Sequence, residues 1–208
     1  MERALQQYYD QALKEYTAGD YYQILLDAKN EYFAKVGPAR EEDADYEARM
    51  NCFNDWYLLQ YVAPDKTKTP IKDFLIRQKA DQAVRTAFYE VNYSLFEYAG
   101  HNFSKQIVLQ DILHGQKIAL VSGHEHPGLV KGDIFIGRIL NYGGKNNLMA
   151  GVCLLPREIR PMLQQHCKKI RQQRAADQEI PFLMKLELLK TKWKNYAHLP
   201  AQKFFKFS

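Results

Sequence analysis

The 208-residue chain is poor in the features that most often announce a function. Its three cysteines, Cys52, Cys153 and Cys167, are far apart, odd in number and without C-x-x-C spacing. A disulfide framework and a cysteine zinc site are therefore not expected, and a reducing cytoplasmic setting is. Nowhere do about eighteen uncharged apolar residues follow one another, so no membrane span is expected. The opening segment MERALQQYYDQALKEY lacks the apolar core of a signal peptide. The commonest glycine-rich nucleotide loops, the G-x-S-x-G nucleophile turn and the H-E-x-x-H zinc helix are all missing. No cofactor is implied.

What is present is an ordinary globular composition, 46% hydrophobic and 25% charged, with an uneven charge distribution. Residues 1–155 hold 17 Lys/Arg against 20 Asp/Glu, while residues 156–208 hold 12 against 4. The whole positive excess of the chain lies at its C-terminal end. Such asymmetry suits an acidic partner surface, nucleic acid included, and equally suits a solvated lysine-rich helix.

Apolar spacing gives an α+β protein, expected as a single compact domain over 1–208 with a helical part (1–91), a β part (93–155) and basic C-terminal helices (156–200). Ala4, Leu5, Tyr8, Tyr9, Ala12, Leu13 and Tyr16 form the stripe of a first helix that Gly19 can end. Asp20 can cap a second helix with Tyr21, Leu25, Ala28, Tyr32 and Val36 in its stripe, and the acidic run EEDAD (41–45) opens a third with Tyr46, Met50, Phe53, Tyr57 and Tyr61 on its buried face. The polar DKTKT (65–69) reads as a short loop, Thr69-Pro70 gives a cap followed by proline at the first position of a fourth helix, and a fifth runs from about Asp81 to Tyr89. From residue 93 the period changes, and 94–99, 105–110, 116–122, 133–140 and 147–154 read as five short antiparallel strands of a barrel-like sheet. Gly115 and the pair Gly143-Gly144 supply hairpin turns. After Pro156 the helical period returns in two C-terminal helices, the first with Ile159, Met162, Leu163, Cys167 and Ile170 on one side and cations on the other.

The segments DADYEARMNCFNDWYLLQ (43–60), TPIKDFL (69–75), SLFEY (94–98), LQDILHGQKIALVS (109–122) and VKGDIFIGRIL (130–140) resemble, in that order, a family of uncharacterised bacterial proteins. Its marks are an F-x-x-W-Y helix, a TP-x-x-x-F segment, a SLFEV-like strand, a DLL-x-G hairpin and a GD-x-F-x-x-R strand. Some related chains carry a SEC-C zinc motif, which this sequence lacks, so zinc and the protein binding tied to that motif do not carry over. The resemblance implies a fold and a bacterial cytoplasmic setting, and no activity.

Three sets of residues invite a functional reading. His124 and His126 in VSGHEHPG point the same way on an extended segment and can share a metal, but a catalytic zinc needs a third protein ligand and none stands at a diagnostic spacing. The same residues serve equally as a turn, so no metal site is assigned. His166-Cys167 are neighbours about 100° apart on a helix and cannot readily form a nucleophile–base pair, so Cys167 is expected as a buried structural thiol. The cationic face Arg157, Arg160, Lys168 and Arg171, with Lys169 and Arg174 at its margins, can neutralise phosphates or meet an acidic protein. Nine of the fourteen tyrosines fall in the first 61 residues, where rings off the helix stripes can meet a partner or a second copy. The reading that results is a non-enzymatic binding or adaptor protein with an unknown protein partner or self-association. Nucleic acid is the competing ligand, and a metal-dependent enzyme is the remaining alternative.

Overall fold

In a computed structural model the chain is described over residues 1–121 and 129–207. It is α+β, with α1 (Arg3–Tyr16), α2 (Tyr22–Val36), α3 (Tyr46–Leu59), α4 (Pro70–Arg77) and α5 (Gln82–Tyr89) before the sheet. The strands are β1 (Asn92–His101), β2 (Ile107–Asp111), β3 (Lys117–Ala119), β4 (Ile134–Tyr142), β5 (Lys145–Leu148) and β6 (Cys153–Leu155). Two helices follow, α6 (Arg160–Gln173) and α7 (Glu179–Lys194). None of the described helices is long and apolar enough to cross a membrane.

The five-stranded half-barrel path expected from the sequence is present, in the order β3-β2-β1-β4-β5, with β6 added off the path as a second partner of β4. The β1–β2, β2–β3, β4–β5 and β4–β6 ladders are antiparallel. Gly143 and Gly144, with φ of 57° and 76°, make the two-residue turn between β4 and β5, a conformation that side-chain-bearing residues rarely adopt. That tight turn starts β5 at Lys145, two residues before the expected strand. The expected strand 147–154 is broken: β5 pairs with Ile139–Tyr142, and β6 pairs with Ile134–Ile136. Between them Gly151 turns its N–H to the Asp55 carboxylate at 3.0 Å instead of continuing the ladder.

Helix starts follow local chemistry with three differences, the first being that Thr69 precedes α4 without making the cap that its sequence suggests. Asp81 caps α5 through the Val84 N–H at 2.8 Å, as its place in the sequence suggests. EEDAD, by contrast, lies ahead of α3, because Asp43 accepts from the Arg40 N–H and folds the run into a turn. Asp20 likewise sits inside a short 3-10 turn before α2 and makes no cap.

Contacts divide the chain into two compact units. Residues 1–34, 39–92 and 138–151 form the first, which contains α1, α3, α4, α5, most of α2, and β5 with the second half of β4. Its core is aromatic: Tyr32 lies 5.2 Å from Trp56, Phe53 stacks on Tyr57 at 5.9 Å, and Trp56 meets Tyr61 at 5.2 Å. Residues 35–38, 93–137 and 152–208 form the second. There Leu95, Ile134, Ile136 and Leu155 of the sheet and Ile112 of the β2–β3 turn bury against Leu163, Cys167 and Ile170 of α6 and Phe182, Leu183 and Leu186 of α7. The tail docks through Phe205, which is fully buried in the same cluster.

Candidate functional site

The cationic face predicted on the C-terminal end comes apart into two groups. Arg157 makes a two-nitrogen pair with Asp133, at 2.9 and 2.6 Å, and Arg160 pairs with Glu97 of β1 at 2.8 Å. Arg171 donates to the backbone carbonyls of Ile112 and Leu113 and so holds the β2–β3 turn against α6. Gly115 packs beside this guanidinium, where a Cβ would meet it at 3.6 Å, and has the positive φ expected of a hairpin glycine. Lys168, Lys169 and Arg174 are exposed, and no carboxylate among the described residues pairs with them. Arg174 closes α6 in the left-handed conformation, φ 52°. The structure thus gathers a tethering set of three arginines and a separate outward set of three cations.

The histidine pair His124 and His126 lies outside the described residues. His166 packs between Phe182 and Phe207, with ring centres 4.7 and 4.9 Å away, and burial together with Lys169 and Lys185 lowers its pKa. Cys167 beside it is fully buried, and burial pushes its thiol up to about 12. The pair is packing, as the 100° separation on the helix implied.

Another constellation has the right residue types for hydrolysis and the wrong geometry. Ser94 Oγ donates to Asp111 at 2.6 Å, and His114 Nδ1 lies 2.8 Å from the same carboxylate. Ser94 also approaches Nδ1, at 3.3 Å, while Nε2 faces Glu179 at 3.3 Å. In a nucleophile–base relay the serine and the aspartate occupy opposite ring nitrogens. Here both crowd one nitrogen, and Ser94 is fully buried where no substrate reaches it. The hydrogen bond to Asp111 raises the His114 pKa to about 8 against the opposing effect of burial, and Glu179 adds to the rise. A charged knot therefore ties the β2–β3 turn to the first turn of α7.

The helical unit holds a concave surface with several tyrosines, two lysines and an aspartate in its walls. Tyr16, Tyr21, Tyr57 and Tyr61 line a cavity of about 280 Å³, and Lys66, Thr67 and Lys68 stand at its rim ahead of α4. Tyr16 and Tyr21 lie with ring centres 4.3 Å apart, and Tyr57 and Tyr61 5.9 Å apart. The Tyr16 hydroxyl donates to Asp73 and accepts from Arg77 at 3.0 Å, and Tyr57 donates to the Tyr16 carbonyl at 2.7 Å. Arg77 also reaches Glu15 at 2.5 Å and Asp73 at 3.0 Å. Burial works to raise the Asp73 pKa, but hydrogen bonds from Tyr16 and Arg77 and the charges of Arg77 and Lys68 hold it below the usual carboxylate value. Burial, then Glu31, Asp27 and Asp65, raise the Tyr61 pKa. Sequence periodicity marked these tyrosines as stripe residues; the loop that completes the wall, DKTKT, read only as a connection.

The same unit holds a buried polar chain. Asp55, 1% exposed, accepts from the Tyr9 hydroxyl at 2.6 Å and from Gly151 at 3.0 Å. Burial raises its pKa, while the charge of Arg138, the Tyr9 bond and the Gly151 N–H oppose that rise. Arg138, itself 2% exposed, donates to Gln60 at 2.6 Å. The last position of the GD-x-F-x-x-R strand thus acts on a carboxylate next to the tryptophan of the F-x-x-W-Y helix. The same strand motif supplies Gly132, at φ 90°, and Asp133, which accepts from the Val130 N–H at 2.8 Å before receiving Arg157.

Fold and geometry together define an α+β protein whose buried charges serve architecture and whose outward chemistry is a basic face and a tyrosine-walled cavity. The chain belongs to a family of unknown function, DUF7986, which it matches over residues 23–182. No curated protein and no solved structure matches it.

Proposed function

We propose that the protein is a non-enzymatic binding protein of the bacterial cytoplasm that docks an acidic protein surface on its second unit. One observation carries the reading. The second unit holds 16 Lys/Arg against 8 Asp/Glu, whereas the first holds 13 against 16, so the charge imbalance follows the structural division. Arg157, Arg160 and Arg171 are spent on internal contacts, which leaves Lys168, Lys169 and Arg174 of α6 as the outward cations of the predicted set. Three exposed cations suit rim contacts that steer an acidic partner and fix its orientation. Nucleic acid is served less well, because Phe96, Phe135 and Tyr98 of the sheet are buried and offer no stacking face to unpaired bases.

The test compares a labelled acidic polypeptide with duplex and single-stranded DNA over a salt series. Binding of the polypeptide, weakened about tenfold or more by Lys168→Glu/Lys169→Glu/Arg174→Glu, supports the reading. DNA binding with a log–log salt slope near −3 moves it to nucleic acid, since each neutralised phosphate contributes about −0.9. Retention of neither ligand at low salt ends both.

A further inference from the structure

We propose that the tyrosine-walled cavity of the first unit binds a small phosphate ester of a flat ring, the chemical class of the nucleoside monophosphates. The walls and the rim ask for different halves of such a ligand. Tyr21 is the half-buried tyrosine of the lining and the one a ligand can meet, with Tyr16, Tyr57 and Tyr61 buried behind it, and a flat ring laid on an aromatic side chain gains about 1–3 kcal/mol by the measure of alanine replacement. Two ammonium groups, Lys66 and Lys68, and the Thr67 hydroxyl stand at the rim, so the anion belongs there.

The start of α4 reinforces the rim. Its N-cap residue, Thr69, lies between the lining residues Lys68 and Pro70, is only 6% exposed, and makes no capping bond. Its buried hydroxyl finds no other hydrogen-bond partner. The positive end of the helix thus keeps the place that a capping oxygen normally fills, a place suited to phosphate oxygens.

The nearby acids set the ligand's direction. Asp65 is paired with Lys66 at 2.9 Å, and Asp73 is held by Tyr16 and Arg77. Glu31, Asp27 and Asp65 act on Tyr61 and oppose an anion beside that ring. The phosphate therefore goes to Lys68 and Thr67 and the ring to the tyrosines, with the ionised Asp73 able to accept from a ligand hydroxyl. A cation in the aromatic box would face two lysines. A volume of about 280 Å³ accommodates one ring system with its phosphate and is too small for a dinucleotide.

The experiment titrates the full chain with adenosine and guanosine 5′-monophosphates, adenosine, inorganic phosphate and choline. Heat of binding and the fluorescence of Trp56, which lies 5.2 Å from Tyr61, report occupancy. The monophosphates are expected to bind at least tenfold more tightly than adenosine or phosphate. Lys66→Ala/Lys68→Ala should bring them to the adenosine level, and Tyr21→Ala should weaken them about tenfold while Tyr21→Phe stays within about threefold. Both lysines are exposed and Tyr21 is half-buried, so unchanged melting curves are expected for these variants. Equal binding of adenosine and its monophosphate, preference for choline, or no saturation by any monophosphate up to about 10 mM overturns the proposal.

Discussion

Replacing Arg138 by methionine should cost far more than the loss of one surface charge. The side chain is 2% exposed and its charge opposes the desolvation of Asp55, which is 1% exposed. Arg138 is the cation whose charge compensates buried Asp55, and removing it leaves that buried group uncompensated, a loss of about 3–5 kcal/mol by analogy with a broken buried ion pair. For a chain of this size that corresponds to a fall in Tm of about 6–20 °C. Asp55→Asn removes the charge and can keep both contacts, with its oxygen facing the Gly151 N–H and its NH2 donating to the Tyr9 oxygen, so its own cost should be smaller. In the double variant the stranded carboxylate is gone, and part of the Arg138→Met loss should return, giving a coupling of about 2 kcal/mol. Urea unfolding followed by Trp56 in a Trp193→Phe background reads the helical unit alone, since Trp56 belongs to the first unit and Trp193 to the second. A coupling below about 0.5 kcal/mol would show that the two buried groups do not support each other, and the account of the strand motif would fall with it.

Two further perturbations test the packing arguments. The folded-state pKa of His114, raised from 6.5 to about 8, makes its contribution fully present below pH 6.5 and lost as pH rises through 8. With the ring a third exposed, the loss should be about 1 kcal/mol, visible as a lower urea midpoint of Trp193 fluorescence at pH 9 than at pH 6.5, and absent in His114→Gln. An unchanged midpoint in the wild type would remove the knot as a stabilising element. Gly151→Ala places a methyl against the Asp55 carboxylate and the Asn51 carbonyl, and should destabilise by about 2–4 kcal/mol; wild-type stability would mean that the 149–152 segment is not held as described.

Local signals were readable where local chemistry decides. Asp81 caps, Pro70 begins a helix, and Gly143-Gly144 turn a hairpin because each acts through its own backbone and its next few neighbours. The break in the last strand was not readable, because Gly151 is drawn away by a carboxylate 96 residues earlier. Helical periodicity placed four cations on one face of the C-terminal end with Lys169 and Arg174 at its margins, yet could not foresee that Glu97 of β1 and Asp133 ahead of β4 would take Arg160 and Arg157. The cavity has the same cause. Spacing marks Tyr16 and Tyr57 as inward residues, but a concavity depends on how helices and a loop far apart in the chain come together.

The division of the chain also bears on how it can be cut. The helical unit takes residues 138–151 from beyond most of the sheet, and the other unit takes residues 35–38 from the end of α2. No single scission yields two self-sufficient pieces. A fragment ending at residue 92 keeps Asp55 and loses both Arg138 and Gly151, so it carries a buried acid stripped of its cation and its backbone donor. Gene fragments, split reporters and limited proteolysis should therefore treat this molecule as indivisible in sequence, although two units are distinct in space.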